Sequence, residues 1–316
     1  MMRPRCRRLL RCRMLEAFLT SAITMATPIL LAALGELLVE ESGVINIGIE
    51  GAMLAGAFVA LAIAYFSGST ALGLAGAIAA GVAINAIFAT LVVNLAVNQV
   101  VTGTAVSILA LGLTGVFYRK LFGVTGKAFM VAPIAKIPLG PLARIPLLGP
   151  VLFDHNGLVY FTFILVPTLW YVIAHTRYGL RLRACGERPE AADALGLGVI
   201  AIRWQALIVS GALTGLAGAF LTLAYANTFV ENISAGRGFV ALSVVIVGRW
   251  NSWGLAAASV LFGAAMALQF GLQALGTVVP YQLFLALPYA LTLVVLAGFG
   301  GQAAAPSALG EPYRRQ

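Results

Sequence analysis

Charge is what this chain has least of. Only 10% of its 316 residues are Asp, Glu, Lys or Arg, against about 25% in ordinary soluble domains, while 61% are hydrophobic and the mean hydropathy is +0.97. Too few charges are present to cover a water-facing surface, which excludes a soluble globular fold. Histidine is scarce: His155 and His175 are the two, and no H-E-x-x-H occurs, so a zinc hydrolase has no ligand set. Cys6, Cys12 and Cys185 have neither metal-ligand nor redox spacing and supply no disulfide framework. A nucleotide site is missing too. "GVTGKAF" has Leu121 where a phosphate loop needs its first glycine and Ala128 where it needs Ser or Thr, and "GLGVIA" from Gly196 follows no strand. No catalytic residue, metal or cofactor is expected, and energy for any work must come from another chain.

What is present is hydrocarbon. Apolar runs able to cross a bilayer core of about 30 Å occupy Leu15–Leu38, Val44–Tyr65, Ala71–Val93, Val97–Phe117, Leu158–Ala174, Trp204–Ala224, Phe239–Val247, Leu255–Leu275 and Leu283–Leu296. The fold class is therefore all-α: a polytopic integral membrane protein of about nine transmembrane helices. Phe239–Val247 is too short to span alone. It is either extended by the preceding "VENISAGRG" or is a half-helix inside the bundle. The 35 glycines and 13 prolines suit close helix approach and broken membrane helices. No internal repeat is evident.

The net charge of +9 does not mark a nucleic-acid surface. Basic residues fall in short clusters at segment ends: "MRPRCRRLLRCR" at the start, "YRK" near Arg119, "RYGLRLRACGER" from Arg177 and "YRR" at the end. That distribution belongs to orientation signals and lipid headgroup contacts, so the bilayer is a partner and nucleic acid is not. The basic start followed by an apolar run mimics a signal peptide, yet the run is too long for one and shows no clear cleavage site.

Polar residues inside the apolar runs are the candidates for function. In "LGELLVEESGVINIGIEGAML", Glu36, Glu40 and Glu41 lie near a span end, where water can hydrate them. Glu50 lies within a span, where an ionised acid costs about 2.5–3.5 kcal/mol on insertion scales. It is either a polar tie between helices or part of a translocation path. Asn46, Gly48 and Gly51 beside it mark an interrupted helix. Asn85, Asn94, Asn98, Gln99, Asn227, Gln269 and Gln273 are further amides within or beside spans, each able to tie helices or to contact a polar solute.

Two long polar connections differ in character. Loop 118–157 is rich in Pro and Gly and reads as an extended surface loop. Loop 175–203 contains "GERPEAADALG", where Pro189 suits a first helical turn, Glu190 and Asp193 follow, and Gly196 can end the helix. A short helix between two spans is expected there.

Four stretches taken in order, "GVINIGIEGAMLAGAF", "RYGLRLRACGERPEAADALG", "SGALTGLAGAFL" and "GRGFVALSVVIVGRWNSWG", resemble the permease subunits of ABC importers of the branched-chain amino acid, ribose and nucleoside type. The resemblance runs from about Met14 to Gln302 and is nearest to the shorter permease of bacterial nucleoside importers. It implies a type II importer-like permease in the bacterial cytoplasmic (inner) membrane, with residues 14–302 as the membrane domain. A cytoplasmic coupling region is implied at 177–200, with Arg183, Gly186, Glu187, Pro189, Glu190, Asp193 and Gly196 meeting the ATPase, and 303–316 forming a cytoplasmic tail. Asn46, Glu50, Asn98, Gln99 and Asn227 are the expected substrate-pathway residues. The implied partners are an ATP-binding subunit, a second, longer paralogous permease forming a heterodimer, and an extracytoplasmic substrate-binding lipoprotein; the cargo is a small polar solute. A stand-alone secondary transporter, or a permease for a simple sugar or branched-chain amino acid, is the alternative.

A cytoplasmic coupling helix fixes the sidedness. Five spans precede it, so the chain start and loop 118–157 face outside, against the positive-inside expectation for an arginine-rich start. Either residues 1–13 are a dispensable tail ahead of a start at Met14, or another crossing lies upstream.

Overall fold

The structure, a computed structural model, describes residues 4–123, 129–138, 148–274 and 305–314, with positions 140, 145, 286, 290, 293, 294 and 297 besides. Leu283–Leu296 thus falls almost wholly outside the described residues, as does the "VTGKA" of the phosphate-loop lookalike. Among the described residues these helices follow in order: α1 Pro4–Glu41, α2 Ile49–Ser67, α3 Thr70–Ala89, α4 Gln99–Phe122, α5 Leu148–Phe153, α6 Gly157–His175, α7 Arg177–Glu187, α8 Pro189–Ala194, α9 Val199–Ala219, α10 Arg237–Val247 and α11 Ser252–Ala274. Helices α3 and α9 run on as π-turns, Thr90–Asn94 and Phe220–Tyr225. Among the described residues, seven helices are long and apolar enough to cross a membrane, and α10 is a shorter apolar helix of eleven residues. Five of the seven precede α7, the number the sidedness argument uses, and α1 is continuous back to Pro4.

Local chemistry explains where the helices begin. Side-chain caps from Ser69, Asn98, Asn156 and Thr176 accept from the first-turn N–H groups of α3, α4, α6 and α7. Pro189 occupies the first turn of α8, and Gly196 follows it at φ +81°, a left-handed conformation that glycine adopts without a steric penalty.

Helix α9 lies at the centre, against α1, α2 and α3. Its Gly211 and Gly215 carry the close approach: a Cβ on Gly215 would strike the Ala77 carbonyl oxygen of α3, and one on Gly56 of α2 would come within 2.6 Å of the Gly215 oxygen. Packing of this kind replaces the hydrophobic drive that lipid removes. Helix α1 is largely enclosed, with 89% of its apolar window buried, whereas α4 and α6 are each 33% buried and form the rim.

The described residues of loop 118–157 include regular elements, where the sequence suggests an extended surface loop. Strands β1 Lys136–Pro138 and β2 Asp154–Asn156 pair antiparallel, and the Tyr160 hydroxyl donates to the Ile137 carbonyl at 3.0 Å. His155 is buried there, 2.8 Å from the Val151 carbonyl, and its burial holds the imidazole below its usual pKa, in the neutral form.

Candidate functional site

The break between α1 and α2, residues 42–48, is where the chain's polar groups converge. Its peptide groups have lost helical partners and sit away from bulk water, so side chains must satisfy them. Asn46 N donates to Glu36 Oε1 at 2.8 Å, Ile45 N donates to Gln99 Oε1 at 2.7 Å, and Ser107 Oγ donates to the Ile47 carbonyl at 3.2 Å. The Asn46 amide continues the network: its Nδ2 donates to Asn85 Oδ1 at 3.2 Å, and Asn85 Nδ2 donates to the Leu207 carbonyl of α9 at 2.9 Å. Helices α1, α3, α4 and α9 are thereby tied to one irregular segment. Glu36 Oε2 and Asn46 Oδ1 remain buried without a protein partner, two acceptors left at the same place.

Glu50 begins α2 and closes a second break. Its Oε1 accepts from Ser234 Oγ at 2.6 Å and from Gly236 N at 2.9 Å, while Oε2 accepts from Gly238 N at 2.7 Å. Gly236 and Gly238 open α10, so a carboxylate sits on the N-terminus of a half-helix, where free N–H groups and the helix dipole favour negative charge. A Cβ on Gly51 would lie 2.9 Å from the Ser107 Cα, and Ser107 is about 12 Å along α4 at about 1.5 Å per residue. Glu50 is therefore deep in the bundle, 8% exposed, with a full set of donors.

The expectation that Glu36, Glu40 and Glu41 are hydrated does not hold for Glu36 and Glu40, while Glu41 borders an open cavity beside Arg183 and Glu187. The three are 0%, 3% and 9% exposed, and Glu40 Oε2 accepts from Trp250 Nε1 at 2.7 Å. Proximity to a span end suggested water, but α7, α9 and the α10–α11 turn close over this end. Asn46, Glu50 and Gln99 belong to the convergence at the two breaks. Asn98 does not: it is exposed and caps α4. Asn227 also lies apart, half-buried at φ +56° in the stretch before α10, its carbonyl accepting from Val131 N at 3.1 Å.

The expected coupling residues lie at the bundle end holding α7 and α8, most of them at its surface. Arg183, Glu187 and Glu190 are exposed, Asp193 and Pro189 half-buried, and Gly186 buried, close on the Glu41 carbonyl of α1. Cavities of about 440 and 400 Å³ flank Glu187; Arg183 lines the first, Pro189 and Glu190 the second. Leu180 and Leu195 stand out at 64% and 83% exposed. Beneath them the Cys185 thiol is pushed up by burial, against a smaller opposing effect of Arg203, and is inert. No group of three His, Cys, Asp or Glu able to hold a metal occurs among the described residues.

The sequence matches the family described as the branched-chain amino acid transport system / permease component over residues 18–296. The chain belongs to this permease family. It is 34% identical to the guanosine ABC transporter permease protein NupQ of Bacillus subtilis over 313 residues, covering 95% of this chain and 97% of that protein. It is 36% identical to the nucleoside ABC transporter permease protein NupC of Lactococcus lactis, with the same coverage of each. Among solved structures it is similar to an inward-facing conformation of a putative metal-chelate type ABC transporter, with TM-score 0.52, 17% identity and coverage of 89% and 85%, a likeness of fold alone. This permease is thus a multi-pass membrane protein. Its family's transport is powered by a separate ATP-binding subunit and supplied by a substrate-binding protein, and it is not itself an enzyme. The donors gathered on Glu50 escaped the sequence reading, although the "GRG" of Gly236–Gly238, next to a short apolar segment, was the signal for them.

Proposed function

We propose that this permease is the shorter of two paralogous membrane subunits in a nucleoside importer of the bacterial inner membrane. The observation that carries the substrate class is the end-to-end similarity to guanosine and nucleoside permeases. The break at 42–48 suits that cargo. Amides and carboxylates gathered at a buried irregular segment match hydroxyls and base edges, and Glu36 Oε2 and Asn46 Oδ1 offer two unused acceptors. Transport proceeds by alternating access. ATP binding and hydrolysis in the partner move α7 and α8, and the broken helices α2 and α10 rearrange about Glu50. The α7–α8 end faces the cytoplasm, so the β1–β2 hairpin and the start of α1 face outside, and residues 1–13 are dispensable.

One cell preparation tests both the cargo and the sidedness. Cells carry the whole importer with Asn156→Cys in a permease whose Cys6, Cys12 and Cys185 are replaced. Guanosine uptake should be displaced by other nucleosides and left intact by simple sugars and branched-chain amino acids, and an impermeant maleimide should label the intact cells. Displacement by a sugar or by leucine would refute the substrate class. Labelling only after lysis would reverse the orientation.

A further inference from the structure

Residues 305–314 form a short, turn-rich segment near the chain end, closed by Leu309 N to Pro306 O at 3.0 Å and Glu311 N to Ala308 O at 3.2 Å. It is not a loose tail. Ala308 and Tyr313 are 5% and 9% exposed. Ala308 N donates to the Gly186 carbonyl of α7 at 2.9 Å, and Ser307 Oγ donates to Glu187 Oε2 at 2.6 Å. Two residues on, Gly310 N donates to the Gly43 carbonyl in the α1–α2 break at 3.1 Å, and the Glu311 carbonyl accepts from Gln99 Nε2 at 3.5 Å. The Tyr313 ring lies 5.7 Å from the guanidinium carbon of buried Arg203, whose Nε donates to the Ser42 carbonyl at 3.1 Å.

One short segment therefore binds both the coupling region and the 42–48 break, at the junction where Gly186 already packs against Gly43 and the Glu41 carbonyl. Gly186 is three residues from α8. Gly43 is three residues from Asn46, which is held by Glu36 and Asn85, and α2 with Glu50 starts just beyond. Backbone hydrogen bonds to both elements, with Ala308 and Tyr313 buried as anchors, are suited to passing on a displacement, because neither contact slips without leaving a polar group unpaired.

We propose that residues 305–314 are a coupling strap that carries movement of α7 and α8 to the α1–α2 break, with Ala308, Gly310 and Tyr313 as its positioning residues. This rests on the reading of the chain as an ATP-driven permease. The strap acts on no substrate; it sets how far the break follows the coupling helices.

The test uses the complete importer in vesicles and reads ATP hydrolysed per guanosine imported, per assembled complex. One variant ends at Ala304. The other is Gly310→Val, which forces a β-branched residue into φ +81° and aims its side chain at Ile45, whose Cδ1 is 3.2 Å from the Cβ position, while leaving α7 and α8 untouched. Both should assemble, hydrolyse ATP and import poorly, raising the ratio about tenfold, inside the roughly 5–150-fold range of couplings between sites. If truncation prevents assembly, Gly310→Val decides. Variants that keep the parent ratio, whether at full or reduced amounts of complex, would show that the segment only stabilises the fold and would overturn the strap. If the parent complex itself imports no guanosine under ATP, the functional reading falls and the strap with it.

Discussion

Replacing Glu50 with Leu should remove most of the folded permease from the membrane. The side chain is 8% exposed and accepts three hydrogen bonds, from Ser234 Oγ, Gly236 N and Gly238 N. Leu accepts none, and each buried donor left unpaired costs about 1–3 kcal/mol, so a loss of about 4 kcal/mol is expected, at the top of the range for single substitutions. Glu50→Gln separates the tie from a role in the pathway. Its oxygen can keep Ser234 and Gly236, but its amide nitrogen then meets the Gly238 N–H donor to donor, so the loss should be one bond, about 1–2 kcal/mol. The folded, monodisperse yield in detergent should fall from parent to Gln to Leu, with transport per folded molecule largely kept in Gln. Full yield with abolished uptake in Gln would make Glu50 a pathway group instead. Full yield for Leu would contradict both roles.

The second large effect is expected at α8. Glu190 is exposed in its first turn and Asp193 is half-buried near its end, on a six-residue helix that packs on the bundle through Ala192. The double substitution Glu190→Lys, Asp193→Lys shifts the local charge by four units without entering a span, so insertion and yield should match the parent. ATP-driven uptake should fall by about tenfold or more while hydrolysis by the ATP-binding subunit continues, as when a contact worth about 1.4 kcal/mol or more is lost. Undiminished uptake would remove α8 from the coupling path.

Most of the spans were legible because hydrocarbon length alone identifies them. So was α8, where Pro189 and Gly196 bracket a short charged run. Asn46, Glu50 and Gln99 stood out as polar groups in apolar surroundings, and the structure joins them to the two breaks. The apolar run begins at Val44 while α2 begins at Ile49, after the interruption that Asn46 and Gly48 mark: hydropathy does not distinguish helix from buried irregular chain whose peptide groups are satisfied by Glu36, Gln99 and Ser107. Glu36 and Glu40 were read as hydrated because their partners, Asn46 N and Trp250, come from other elements and are invisible to local pattern. The 305–314 segment carries no periodicity at all. Its role depends on backbone contacts to Gly186 and Gly43, which no side-chain pattern encodes.

The most direct test places the purified permease, the proposed second permease and the ATP-binding subunit in proteoliposomes and adds the substrate-binding protein on the proposed outer side, that of the hairpin. Labelled guanosine should accumulate against its gradient when ATP is supplied to the α7–α8 side, should stop when the binding protein or ATP is withheld, and should be indifferent to a proton ionophore. Accumulation driven by an ion gradient in the permease alone, without ATP, would contradict the account.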